Sequence, residues 1–231
     1  WWFMKILKIL IFLSLFVMGI IFMNFLISKE KSEVVSINEK IYSGIIVIDP
    51  GHGGEDTGAI SQNNVNEKDV VLDISLKLGE KLEENNFKVY FTRKSDKALG
   101  NTVRSDIINR AKFINARNAD IFLSIHLNGS DIESAKGVES YSRFLDDKSY
   151  LLAESIQDEL SSIEYTKDRG IKETNEKSLG ILRYTNITGV LLELGFITNS
   201  EDEKYLISEE GQDIIVYCIL NGILNYFNEI K

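Results

Sequence analysis

Between residues 45 and 229 the chain alternates short apolar runs with longer stretches whose apolar positions return every three or four residues. Ile45-Ile46-Val47-Ile48 is β-branched throughout and predicts a buried strand. Asp49-Pro50 closes it, because proline cannot continue a central strand. Helical spacing begins after Asn66, a residue suited to capping, with Val70, Val71, Ile74, Leu78 and Leu82 on one face, and Asn85-Asn86 ends it. Residues 87–92 predict a second strand. Thr102 caps a second helix carrying Val103, Ile107, Ala111 and Ile114, and residues 121–126 predict a third strand. Further on, residues 137–142 alternate like a strand, and residues 146–161 predict a helix with Leu152, Ile156 and Leu160 inward. The polar stretch 165–177 reads as a surface loop, and 179–184 as a short strand or turn. Residues 190–194 predict another buried strand. A last helix starts near Ser208, with Ile215, Cys218, Ile219, Gly222, Ile223 and Tyr226 on one stripe. This order predicts an α/β domain with a mainly parallel sheet and helices on both faces.

The N-terminus has a different pattern. Residues 9–27 hold no charge, and as a helix they would span roughly 28 Å, close to the thickness of a bilayer core. Lys5 and Lys8 precede the run and place the short tail on the cytoplasmic side. Residues 1–28 therefore predict one N-terminal transmembrane helix that anchors the protein. A cleaved signal peptide is the competing reading, although no small-x-small site follows the run. Either one exports the remainder. The chain begins with Trp1, and Met4 reads as the start of translation. Residues 29–43 form a polar linker, and 44–231 form one globular domain.

Composition narrows the field. The net charge is −9, and the chain is more acidic still once Lys5 and Lys8 are set aside. That excludes a protein that coats nucleic acid, which needs a basic surface. A single cysteine, Cys218, permits no internal disulfide, and its place on an apolar helical stripe predicts a buried spectator.

The candidate chemistry lies at strand ends. The chain has two histidines. His52 follows the first strand within Gly51-His52-Gly53-Gly54, and His126 closes the third. Ligands gather beyond strand ends in open α/β sheets. A catalytic zinc takes three protein ligands and keeps a position open. The third ligand would be an acid near the same edge, and Glu67, in the first turn of the helix after the His52 loop, fits best. Blander readings remain: a plain turn or an anion-binding nest at Gly51–Gly54, a satisfied core histidine at 126, and a helix-dipole partner at Glu67. Glu193 is a lone acid on a buried strand, read either as a general base beside the metal or as an edge-strand side chain in solvent.

Four segments carry a resemblance: Asp49-Pro50-Gly51-His52-Gly53-Gly54, Glu67 within Asn66-Glu67-Lys68, Ser124-Ile125-His126-Leu127-Asn128, and Glu193-Leu194-Gly195-Phe196-Ile197-Thr198-Asn199. In this order the chain resembles the zinc-dependent N-acetylmuramoyl-L-alanine amidases (type 3 amidases). The resemblance covers residue 44 to the C-terminus. It implies one zinc ion held by His52, Glu67 and His126, with Glu193 catalytic. It also implies hydrolysis of the amide joining N-acetylmuramic acid to L-alanine in peptidoglycan. The short anchored form without wall-binding repeats looks most like the spore-cortex member, whose action leads to muramic δ-lactam and germination. The implied setting is bacterial, membrane-anchored and extracytoplasmic, with peptidoglycan as partner, an activating protein as a further partner, and no nucleic acid. Asn128 and Arg183 are expected to contact substrate, and Asp49 to orient His52. Where the family commonly has proline and alanine before its last strand, this chain has Thr188-Gly189, which predicts a looser approach to Glu193. The alternatives are a partner-dependent or inactive peptidoglycan-binding homologue, another zinc hydrolase such as a peptidase or sugar deacetylase, and a phosphate-binding fold built on the glycine loop.

Overall fold

The computed structural model describes residues 2–5, 16–23, 42–174 and 179–230. The chain divides into two compact units, residues 1–41 and 42–231. In the first, residues 2–5 and 16–23 are helical and exposed. The rest of the expected span, 9–15 and 24–27, lies outside the described residues, as does nearly all of the linker. Among the described residues no helix is long and apolar enough to cross a membrane.

The second unit is built on a six-stranded sheet of order β2-β1-β3-β6-β4-β5. Its strands are β1 (Ile45–Pro50), β2 (Lys88–Phe91), β3 (Ile121–Asn128), β4 (Val138–Arg143), β5 (Asp168–Thr174) and β6 (Thr188–Phe196). β2, β1, β3 and β6 run parallel. β4 is antiparallel to β6 and parallel to β5, so the expected mainly parallel sheet carries a reversed pair at one side. The helices are α1 (Glu67–Glu84), α2 (Val103–Asn115), α3 (Asp147–Ser162), α4 (Gly180–Tyr184), α5 (Ser200–Leu206) and α6 (Glu209–Glu229).

Strand alternation sorts the core into two layers. Ile46, Ile48, Leu123, Ile125 and Leu192 turn to one face and pack with Ile74 and Leu78 of α1, Leu152 and Ile156 of α3, and Ile215 and Ile219 of α6. Val47, Phe122 and Leu191 turn to the other face and meet Ala111 and Ile114 of α2 with Ile181 and Leu182 of α4. Each such side chain contributes about 1.5–3 kcal/mol by leaving water. Cys218 is buried and free, as its stripe predicted.

Several local expectations are corrected. The polar stretch after residue 165 contains β5, an edge strand whose exposed face reads as loop in the sequence. Residues 180–184 form a one-turn helix rather than a strand. α5 went unforeseen, although Asn199 caps it by accepting from the amides of Glu201 and Asp202. Asn66 holds the N-cap position, yet its side chain donates to Asp69 Oδ2 instead of capping the helix. Thr102 does cap α2, in a reciprocal pair with Ser105. Thr188 and Gly189 do not form a loose approach. They lie inside β6, in register with Ile121 and Phe122, and a Cβ at residue 189 would strike the Phe122 ring.

Candidate active site at the sheet edge

The C-terminal ends of β1 and β3 deliver His52 and His126 to one edge, and the start of α1 brings Glu67 between them. Glu67 Oε1 lies 3.1 Å from His52 Nε2 and 3.1 Å from His126 Nδ1. The imidazoles meet edge to face, with centroids 4.9 Å apart. Donor atoms of all three lie within 4.8 Å of one another, a grouping able to hold a metal ion. Two donors on a tetrahedral zinc with bonds of ~2.0 Å sit ~3.3 Å apart, so these spacings fit.

The carboxylate is held in place by backbone amides. Glu67 is 3 % exposed, and it accepts from the Leu127 amide on Oε1 at 2.9 Å and from the Ala59 amide on Oε2 at 2.8 Å. Glycines leave the necessary space. A Cβ on Gly51 would occupy the His126 ring, and one on Gly58 (φ +66°) would meet Glu67 Oε2 and the His52 ring. Burial alone would raise the Glu67 pKa, but hydrogen bonds and charge from His126 and His52 hold it well below the usual carboxylate range. Burial likewise opposes a charged His52, yet Glu67 and then Asp56 raise that imidazole to about 9.

Asp56, four residues beyond His52, places Oδ2 3.0 Å from His52 Nδ1 and is the carboxylate beside that side of the ring. This corrects the expectation for Asp49, which turns away. Asp49 accepts from Thr92 and Arg110 on Oδ1 and from Ser124 on Oδ2. Two buried guanidiniums then hold the histidine loop by its carbonyl oxygens. Arg93 donates to Pro50 at 3.0 Å and to Gly51 at 2.7 Å, and Arg110 donates to Pro50 at 2.6 Å and to His52. Arg93 is pushed down to about 10 by burial and by the charge of Arg110. His52 needs this support because it sits at φ 58°, a left-handed conformation costly for a side chain with a Cβ.

Glu193 stands beside the cluster. β6 is internal to the sheet, so the edge-strand alternative for Glu193 is excluded, and the residue is half-buried. It is in register with His126 on β3 and with Glu139 on β4. Its Oε2 is buried and has no hydrogen-bond partner among the described residues. Burial pushes its carboxyl up to about 7, His126 pulling it back and Glu67 and Glu139 adding to the rise.

Glu139 was not foreseen: it holds a polar position in an alternating run, where a solvent-facing side chain is the ordinary reading, yet it is buried. Asn128 donates to Glu139 Oε1 at 3.0 Å. A cavity of about 140 Å³ opens against His52 and His126, walled by Val103 and Ile107 of α2 and by Leu179, Gly180 and Ile181 around α4. Arg183 is not among its lining residues; it is exposed on α4 with its guanidinium 5.4 Å from the Tyr184 ring centroid.

Comparison with known proteins agrees with this arrangement. The family described as N-acetylmuramoyl-L-alanine amidase matches residues 46–225. An uncharacterised Bacillus subtilis protein, YqiI, is 39% identical over 193 residues, covering 83% of this chain and 88% of its own length. The germination-specific N-acetylmuramoyl-L-alanine amidase of B. subtilis is 34% identical over 200 residues, covering 80% of each. The CwlD amidase of Clostridioides difficile, solved in complex with the GerS lipoprotein, superposes with a TM-score of 0.76 at 33% identity, over 80% of this chain and 99% of that one.

Proposed function

Because the chain belongs to the N-acetylmuramoyl-L-alanine amidase family, we propose that His52, Glu67 and His126 hold one zinc ion and that Glu193 moves the protons of amide hydrolysis. The bond cut is the amide between the lactyl group of N-acetylmuramic acid and L-alanine in peptidoglycan. The donor set of two imidazoles and one carboxylate suits zinc. When bound there, zinc supplies a Lewis acid that polarises a carbonyl and acidifies water.

The chain's own residues do the rest. Asp56 stands beside the His52 ring, and the two arginines hold its loop. Glu193, half-buried and with no hydrogen-bond partner at Oε2 among the described residues, accepts a proton from the attacking water as the C–O bond forms. It returns that proton to the departing alanine nitrogen as the C–N bond breaks. The apolar walls of the adjoining cavity exclude competing water from one side of the reacting amide. Asn128 and Arg183 are retained as proposed substrate contacts, Asn128 at the end of β3 and Arg183 from the rim.

The observation that carries this reading is Glu67 Oε1 lying 3.1 Å from a nitrogen of each histidine, with Glu193 in register beside His126. The test is digestion of purified peptidoglycan by the metal-loaded chain, followed by mass analysis. Free stem peptide with an intact glycan supports the amidase. Loss of acetyl groups would identify a deacetylase, and cleavage within the peptide a peptidase.

The similarity to a germination-specific amidase supports action on spore-cortex peptidoglycan, ahead of muramic δ-lactam formation. The solved relative's complex with a lipoprotein supports an accessory protein partner. Residues 1–28 are proposed to anchor the chain to the membrane, with the amidase domain outside the cytoplasm, where its substrate lies.

A further inference from the structure

The reaction centre leaves one polar cluster without a task. His126, Glu193 and Glu139 form a row across β3, β6 and β4. The row continues onto edge strand β5, where Arg169 and Lys172 reach back to Glu139. Arg169 Nε donates to Glu139 Oε2 at 2.6 Å, and Lys172 Nζ donates to the same oxygen. Glu139 is 2 % exposed and also accepts from Tyr141 Oη at 2.7 Å and from Asn128. Burial would raise its pKa, but these donors, Lys172 and Arg169 first, hold it down at about 2.

Two cations therefore share one carboxylate, in a protein whose net charge is −9. Neither makes a second ion pair among the described residues. Both side chains stay partly open to water, Arg169 at 32% and Lys172 at 39%. Arg169 commits only Nε, so its two terminal nitrogens have no hydrogen bond among the described residues, and that face of the guanidinium fits a carboxylate. Its guanidinium lies over the Phe196 ring, 5.1 Å from the centroid, and Lys172 lies 5.4 Å from the Tyr141 ring centroid. The cluster is thus a fixed cationic rim with an unspent charge.

Its distance from the chemistry says what it would read. β5 lies two strands from β6, so the backbone of Arg169 stands about 10 Å from that of Glu193. Extended peptide covers about 3.4 Å per residue. We propose that Arg169 and Lys172 form an anion subsite for a carboxylate carried two or three residues beyond the scissile amide, on the departing peptide. The subsite rests on the amidase reading above and adds a charge preference that the metal centre by itself does not provide.

The test uses two synthetic muramoyl-peptides that are identical except that the carboxylate on the second residue is free in one and amidated in the other. Steady-state kcat and KM are measured with the zinc-loaded full-length chain. The free acid should show a KM roughly tenfold lower than the amide, as befits a charge-assisted contact. The Arg169→Gln/Lys172→Gln variant should bring that ratio to within about twofold of one. Because this strands Glu139 in the interior, the triple variant with Glu139→Gln is measured beside it and should give the same ratio. Glu139→Gln alone frees both cations and should widen the preference. Equal KM values in the wild type, or a preference that survives in the triple variant, would overturn the subsite while leaving the amidase intact. Turnover of neither peptide by the wild type would overturn the amidase reading, and the subsite with it.

Discussion

Replacing Arg110 by methionine tests whether the histidine loop is held from behind. The change keeps most of the aliphatic volume and deletes the guanidinium. Lost with it are the 2.9 Å ion pair to Asp49, the 2.6 Å bond to the Pro50 carbonyl, the bond to the His52 carbonyl and the pair with Asp106. Asp49, 1 % exposed, keeps only hydroxyl donors from Thr92 and Ser124. Breaking a buried pair from one side costs about 3–5 kcal/mol, and the surviving hydroxyls favour the lower end. For a domain of this size each kcal/mol moves Tm by roughly 2–4 °C, so Arg110→Met should melt about 6–12 °C below wild type. Adding Asp49→Asn removes the stranded charge and should recover part of the loss, by roughly 0.5–3 kcal/mol of coupling. Releasing the His52 carbonyl should also weaken zinc binding by about 10–100-fold. Circular-dichroism melts with and without chelator give the first quantity, and chelator competition gives the second. A fall in Tm below about 2 °C together with unchanged zinc affinity would show that this guanidinium does not support the loop.

Three further outcomes follow from the same geometry. In the metal-free protein His52 is raised from its ordinary 6.5 to about 9. Its contribution to stability is then complete below about 6.5 and lost as pH climbs through 9. Over that interval metal must displace its proton, so zinc affinity should rise by up to tenfold per pH unit and level off above 9; a flat profile in chelator competition would refute this. Glu193→Gln should keep stoichiometric zinc by atomic absorption and lose about 10²–10⁴-fold in kcat on muropeptides, whereas undiminished turnover would remove its role as base. Gly58→Ala places a methyl against Glu67 Oε2 at a backbone of φ +66°, so zinc content should fall well below one per chain even where the fold survives, and normal loading would show that the Glu67 position is not constrained by the loop.

Much of this was legible in the residues because the strands that position the site are buried on both faces. Unbroken apolar runs identified β1, β3 and β6, and polar chemistry at the ends of such runs stands out. His52, His126 and Glu193 were singled out that way and Glu67 by its place at a helix start, and the fold groups His52, Glu67 and His126. Supporting residues were harder to find. Asp49 sits next to the loop in sequence and looked like the partner of His52, but strand alternation turns it toward Arg110 and leaves the ring to Asp56. Arg93 and Arg110 come from separate elements and converge only through the β2-β1-β3 order, which no local pattern reveals. β5 was missed because an edge strand needs only one buried face and can be almost wholly polar.

The backbone amides of Ala59 and Leu127 and the two arginines behind the glycine loop brace the donor side chains through contacts within the chain itself. Stripping the ion should therefore empty a finished socket instead of collapsing the fold, and returning it should restore work at once. If one metal ion serves this site, its removal and return would switch the chemistry off and on while the melting profile of the apo domain kept a single cooperative step.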